Sequence, residues 1–214
     1  MANFEHEQRY WSQGLEVVAG LDEAGRGPLA GPVVAAAVVL PRDKSYPFID
    51  DSKALTPKKR EEAYQRLIQD KSVYYGVGIV MHNVIDRINI LQATFEAFKL
   101  AIDHLTLNPN ALLFDGPYFP ELPLPQEGIV KGDRESLSIA AASIIAKVVR
   151  DEMMREYHNK WPEFDFATHK GYATKAHLEA IRTYGASPIH RMSFEPLKTL
   201  FSTKELLEKP VAEK

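Results

Sequence analysis

The sequence predicts an α/β fold in which a mixed sheet carries helices on its faces. Strand-length apolar runs crowd the first third of the chain, and runs of that kind then alternate with segments at helical spacing. With 214 residues, 45% of them hydrophobic and 10% aromatic, the chain can bury a sizeable core without staples.

Val17 to Leu21 is a short apolar run ending in acid, and a Gly/Pro-rich stretch from Gly25 to Pro32 follows it. Val33 to Leu40 is apolar almost throughout and reads as a strand buried on both faces. Thr56-Pro57 marks a helix start, with Thr as N-cap and Pro at the first helical position. Ala63, Tyr64, Leu67 and Ile68 form one face of that helix, which reaches Asp70. Val73 to Val80 is a third strand. Asn83 is expected to cap one long helix with Ile85, Ile88, Leu91, Phe95, Phe98 and Ile102 at helical spacing. Ala111 to Phe114 is a fourth strand, ending at Asp115-Gly116. The loop from Pro117 to Gln126 holds four prolines and is expected to be irregular and extended. Ile129 and Val130 open a short fifth strand that stops at Gly132-Asp133. An Ala-rich helix runs from Ser138 to about His158, its small residues permitting close backbone approach at the start. Thr174 to Tyr184 is another helix, and a last one follows Pro196.

Composition removes several function classes. There is no cysteine, so disulfides, zinc–thiolate sites and thiol nucleophiles are excluded, and a reducing cytoplasm suits the chain. Met1 to Tyr10 lacks the apolar stretch of a secretion signal, and Val33 to Leu40, the longest apolar run, is too short to span a bilayer. The net charge of −3 argues against diffuse phosphate binding, so a nucleic-acid role must rest on local residues.

Four carboxylates fall where strands are expected to end: Asp22, Glu23, Asp115 and Asp133. Taken singly, each reads as an ordinary turn residue. In α/β sheets, however, functional groups gather at the carboxyl ends of strands. Adjacent strand residues point to opposite faces, so Asp22 and Glu23 share a site only if the strand ends or distorts there, which Gly25 favours. Several carboxylates within a few ångströms would repel one another, and Mg²⁺ or Mn²⁺ relieves that repulsion through hard oxygen ligands. Two such ions can activate a water, hold a scissile phosphate and stabilise the leaving oxygen. Spacing alone leaves open whether the four acids converge. Gly25, Gly27 and Gly31 nearly match a dinucleotide-binding turn. The third glycine comes one residue late, and Pro28 and Pro32 stand where a helix should begin, so that reading is rejected.

The segments GLDEAGRGPLAGPVVAAAVVL (Gly20 to Leu40), DSKALTPKKRE (Asp51 to Glu61), INILQAT (Ile88 to Thr94) and LFDG (Leu113 to Gly116) resemble the type 2 ribonucleases H, and specifically the bacterial ribonuclease HII branch. So do KGDRESLSIAAASIIAKVVRDEMM (Lys131 to Met154), HKGYATKAH (His169 to His177) and HRMSFEPLK (His190 to Lys198). The resemblance implies an RNase H-like mixed five-stranded sheet flanked by helices, with a helical C-terminal part. It treats the chain as one domain, with a catalytic core over about 16–160, a helical part over about 161–200 and a tail over 201–214.

Carried over residue by residue, the resemblance makes Asp22, Glu23, Asp115 and Asp133 the catalytic, metal-binding acids, with Mg²⁺ or Mn²⁺ as cofactor and two ions when substrate is bound. Gly25, Arg26 and Gly27 contact the 2′-hydroxyl and phosphates of a ribonucleotide, Tyr172 stacks on the sugar at the DNA side, and Lys53 meets a phosphate. The 2′-hydroxyl is what separates RNA from DNA, and glycine lets backbone approach a sugar closely. Lys53, Lys131, Arg134, Lys147 and Lys170 are candidates for a local basic footprint. His169 and His177 are expected to be structural or phosphate-proximal.

The implied activity is endonucleolytic hydrolysis of the RNA strand in RNA–DNA hybrids, with cleavage 5′ of ribonucleotides embedded in duplex DNA. A metal-activated water attacks, leaving 3′-hydroxyl and 5′-phosphate ends. The implied partners are those nucleic acids and no membrane, with a monomer as the default. About sixteen residues before the first strand leave no room for the extra N-terminal domain of the ribonuclease HIII branch, and the tail after Lys198 shows no evident clamp-binding peptide. Two other readings compete. A non-catalytic hybrid-binding module would not need the complete acid quartet, and a DNA-junction resolvase would not need the ribose-reading residues.

Overall fold

The computed structural model describes residues 2–49 and 55–202. Five strands, β1 (Val18–Ala24), β2 (Val33–Val39), β3 (Tyr74–Val80), β4 (Ala111–Asp115) and β5 (Gln126–Ile129), form one sheet in the order β3-β2-β1-β4-β5. β1 pairs antiparallel with β2 and parallel with β4, and β4 pairs parallel with β5, so the sheet is mixed as expected. Every residue of β2 is buried, which explains its unbroken apolar run.

Among the described residues the helices are α1 (Glu5–Trp11), α2 (Pro57–Gln69), α3 (His82–Asp103), α4 (Leu137–Lys160), α5 (Phe166–His169), α6 (Lys175–Tyr184) and α7 (Leu197–Ser202). Two short 3₁₀ turns, Gly132–Arg134 and Pro162–Phe164, accompany them. Thr56 caps α2 by accepting from the Lys59 amide, and Thr174 caps α6 by accepting from the His177 amide.

Three elements differ from the sequence reading. α3 starts at His82, so Asn83 is not its cap, and it breaks at Asn89 (φ 66°, ψ 167°), whose Oδ1 accepts from the Gln92 amide. Asparagine tolerates positive φ and supplies that cap, so the apolar periodicity runs across two helical segments rather than one. β5 lies at Gln126–Ile129, ahead of the expected Ile129-Val130, because its pairing with β4 runs from Leu112↔Gln126 to Asp115↔Ile129. The polar N-terminal stretch forms α1, which the sequence did not announce. Its Glu7 is fully buried and accepts from the Ser136 hydroxyl at 2.6 Å and the Ser138 amide at 3.0 Å.

The chain divides into two compact units. The first comprises Met1–Ala24, Val34–Ile79 and Thr94–Val149. In its core, Ala36, Val38 and Leu40 pack with Ala63 and Leu67 of α2 and with the Ala140–Ala146 stretch of α4. A Cβ on Gly20 would overlap the backbone of Ser138 and Ile139, so the start of α4 lies directly on β1. That contact is the one its small residues implied.

The second unit comprises Gly25–Val33, Val80–Ala93 and Arg150–Lys214. Leu29, Met154, Phe164, Phe166, Ile181, Ile189 and Leu197 form its core. His169, His177 and His190 are buried there, and their partners fix the tautomers. The Gly171 amide donates to His169 Nδ1, so His169 Nε2 donates to the Phe164 carbonyl. The Ser187 amide donates to His190 Nδ1, so His190 Nε2 donates to His177 Nε2 at 3.0 Å, and His177 Nδ1 donates to the Tyr172 carbonyl at 2.9 Å. Of the two roles expected for His169 and His177, this is the structural one.

That chain of bonds requires neutral imidazoles. Burial first, then neighbouring histidines, pulls His177 down to about 4 and His190 down to about 3 from the ordinary 6.5. Below pH 6.5 the unfolded chain takes up protons that the folded chain refuses, so stability is complete above that value and is lost as pH falls through 4 toward 3. Urea denaturation across that window should show a decline of at most about 1.4 kcal/mol per pH unit for each histidine, and His190→Asn should flatten it. A wild-type profile that is already flat would contradict the assignment.

Candidate active site

The acids converge through strand register. β1 and β4 run parallel and pair Leu21 with Phe114, and the next residue on each strand is an aspartate, Asp22 and Asp115. After β5, Lys131 adopts a left-handed conformation (φ 60°) and the chain turns through Gly132–Arg134, burying Asp133. The Gly132 amide donates to Asp115 Oδ1 at 2.7 Å and ties this turn to the end of β4. One carboxylate oxygen from each of Asp22, Asp115 and Asp133 lies within 4.8 Å of the others. Asp133 was expected at a strand end. It sits in the 3₁₀ turn instead, because β5 stops pairing at Ile129.

Glu23 stands outside that three-carboxylate group. Regular pairing carries β1 through Ala24, with Glu23 opposite Ala35. Glu23 nevertheless acts on Asp22. Burial, then the charges of Glu23 and Asp115, hold the Asp22 carboxyl well above the usual carboxylate range, against the lowering effect of the Ser143 hydroxyl and the Glu23 amide. Crowded, buried and all-oxygen donors suit a hard divalent cation such as Mg²⁺ or Mn²⁺ and do not suit a thiophilic metal.

Gly25, Arg26 and Gly27 follow β1 in the chain and belong to the second unit, as does Tyr172. Gly27 and Tyr172 are both exposed, and a Cβ on Gly27 would stand 3.6 Å from Tyr172 Cε1. The structure therefore brings the glycine–arginine–glycine loop and the tyrosine together. Lys53 lies outside the described residues. Lys131 and Arg134 are exposed on the turn that carries Asp133, whereas Lys147 and Lys170 are half-buried, and the Lys170 ammonium bonds the Ala167 carbonyl.

Two functional candidates escaped the sequence reading. Arg150 and Arg191 are almost completely buried, at 1% and 0% exposure. Burial lowers Arg150 to about 10 and, with the charge of Arg150 added, Arg191 to about 9, so both remain cationic at neutral pH. The available signal was Arg150 itself, which lies four residues from both Ala146 and Met154 on the buried face of α4.

A mixed five-stranded sheet that brings Asp22 of β1, Asp115 of β4 and Asp133 of the following turn together is the arrangement expected of a ribonuclease H-like hydrolase. The family model for Ribonuclease HII matches residues 19–197. A ribonuclease HII from Chlamydia pneumoniae is 50% identical over 194 residues, covering 91% of this chain and 90% of that protein. Among solved structures, the ribonuclease H2 from Pyrococcus horikoshii OT3 superposes with a TM-score of 0.72 at 28% identity, over 86% of this chain and 96% of that one. The ribonuclease HII in the PCNA:RNase HII complex from Archaeoglobus fulgidus gives 0.68 at 25% identity, over 84% and 95%. The chain belongs to the ribonuclease HII family, and is thus a nuclease, an endoribonuclease of RNA–DNA hybrids. Among the described residues no helix is long and apolar enough to cross a membrane.

The raised Asp22 carboxyl has a consequence for stability. Folding favours its protonated form, so its contribution is present at low pH and is lost as pH rises from the ordinary carboxylate value through the raised one. Asp22→Asn keeps an acceptor and removes the charge. In chelator it is expected to melt above the wild type. The further stabilisation that Mg²⁺ or Mn²⁺ gives the wild type should shrink. A melting scan with and without chelator reads both effects, and a variant less stable than wild type in chelator would contradict this account.

Proposed function

We propose that this nuclease cuts on the 5′ side of ribonucleotides embedded in duplex DNA as well as within longer hybrids, leaving 3′-hydroxyl and 5′-phosphate ends. The observation that carries the reading is the meeting of Asp22, Asp115 and Asp133 within 4.8 Å, from positions far apart in the chain. These three would hold Mg²⁺ or Mn²⁺, two ions when substrate is present, with Glu23 completing the charge around them. A divalent cation bound there supplies Lewis-acid polarisation of the scissile phosphate and activation of a water. The protein's own part is to fix the acids before substrate arrives. The Gly132 amide holds Asp115, and the Glu23 amide holds Asp22.

Gly25, Arg26 and Gly27 would meet the 2′-hydroxyl and the adjoining phosphate, and Tyr172 would stack on the deoxyribose at the RNA–DNA junction. Tyr172 is 47% exposed, which leaves its ring open to a sugar, and it neighbours Gly27. The neutral, buried histidines speak against a mechanism in which two imidazoles exchange protons with the 2′-hydroxyl.

A duplex with one ribonucleotide, beside an all-DNA control, tests this with Mg²⁺, Mn²⁺ and chelator. Cleavage is expected only with the ribonucleotide and a metal. Asp115→Asn should lower kcat by about a hundredfold or more while substrate still binds, and wild-type rates from that variant would refute the site. Tyr172→Ala should harm single-ribonucleotide cleavage more than cleavage of long hybrids, and equal losses would remove its junction role.

A further inference from the structure

The loop from Gly25 to Pro32 is held mainly by its carbonyl groups, with the Leu29 and Gly31 amides bonded as well. Arg191 Nε donates to Gly31 O at 2.9 Å, Nη1 to Arg26 O at 3.0 Å and Pro28 O at 2.9 Å, and Nη2 to Gly25 O at 2.6 Å. Arg150 Nε donates to Pro32 O at 3.0 Å and Nη2 to Ala30 O at 3.1 Å. The Arg191 amide takes Leu29 O at 2.8 Å. Gly27, the exposed residue, is the exception in this inward-turned run. A lysine, with three donors on a single nitrogen, could not span the four carbonyls that Arg191 reaches through a planar fork with five donors.

In a trans peptide the N–H points opposite to the C=O. With the carbonyls of Gly25 and Arg26 turned toward Arg191, the amides of Arg26 and Gly27 are directed away from it. Gly25 takes φ 98° to allow this, and a Cβ there would overlap the Arg150 side chain. The buried positive charges also lie behind amides already suited to an oxygen ligand, in surroundings that screen them little. Arg150 makes a second connection. Its Nη1 donates to Lys170 O at 3.1 Å, two residues before Tyr172, while the Leu29 amide donates to Gly171 O at 2.8 Å.

We propose that Arg150 and Arg191 are positioning residues for ribose recognition. They fix the Gly25–Pro32 carbonyls inward so that the Arg26 and Gly27 amides face the 2′-hydroxyl and its phosphate, and Arg150 locks the Tyr172 segment to the same loop. The inference rests on the reading of Gly25, Arg26, Gly27 and Tyr172 as the ribonucleotide-recognising residues.

The test compares wild type with Arg191→Lys, Arg191→Met and Arg150→Lys. It measures KM and kcat on the one-ribonucleotide duplex and Ki for an all-DNA duplex as competitor. Melting and its response to Mn²⁺ report whether each variant is folded. Folded lysine variants should raise KM about tenfold while Ki changes by less than about twofold, and the methionine variant should lose more. Folded lysine variants with wild-type KM would overturn the proposal, as would equal rises in KM and Ki, the mark of general loosening. If wild type itself shows KM equal to Ki, the ribose-recognition reading fails first and the proposal falls with it. A second measurement needs no variant. In ¹⁵N-arginine-labelled wild type, the Nε–H signals of Arg150 and Arg191 should exchange slowly and stay in place when the duplex is added in chelator. Fast exchange, or a shift marking direct contact with the duplex, would overturn the proposal.

Discussion

Burying one carboxylate beside others is the constraint on which the first unit depends. Asp22 is 4% exposed and is pushed toward its neutral form by burial, by Glu23 and by Asp115. A flexible chain would relieve such crowding by moving the acids apart. The sheet prevents it, because parallel pairing of β1 with β4 fixes where both aspartates emerge. α4 reinforces the arrangement. Gly20 lets its start lie on β1, Glu7 binds Ser136 and the Ser138 amide at that start, and Ser143 on the same helix hydrogen-bonds Asp22. Stability is given up at the acids and recovered in the packing around them.

The second unit solves the opposite electrostatic problem. Its buried charges are positive, and backbone carbonyls satisfy them. Each carbonyl is a fixed dipole that costs nothing further to orient once the loop is folded. The histidines follow the same logic in neutral form, passing hydrogen bonds from Ser187 through His190 and His177 to the Tyr172 carbonyl. The backbone at and before the exposed Tyr172 ring is therefore tied down by hydrogen bonds, while the ring itself is 47% exposed.

Much of this was legible in the sequence. β2 was clear because an unbroken apolar run has few alternatives to a strand buried on both faces. α2 and α6 were clear because Thr56 and Thr174 are caps with a local mechanism. Asp115 ends β4 as read, whereas Asp22 lies inside β1, which keeps pairing through Ala24. Asp133 was named, but its place in a 3₁₀ turn was not, because the left-handed Lys131 that builds the turn has no compositional mark. The break at Asn89 was hidden by apolar spacing that continues through it. Arg150 and Arg191 were missed for a more general reason. Charged residues are read from sequence as solvent-facing, and only tertiary structure reveals a guanidinium whose every nitrogen meets a carbonyl.

A chain with a net charge of −3 cannot rely on diffuse attraction to hold a polyanion. Placing two arginines in the interior reduces the surface positive charge further, which would be a poor arrangement if the task were to grip any phosphate. It is a good one if the task is to detect a single hydroxyl. A mobile lysine binds RNA and DNA backbones alike, whereas a donor fixed in direction is satisfied by a ribose and left unpaired by a deoxyribose. Discrimination of that kind depends on how little the donor can move. The carbonyls of Gly25 and Arg26 are held from behind by one buried cation, so the two amides between Gly25 and Gly27 have little freedom to seek another partner.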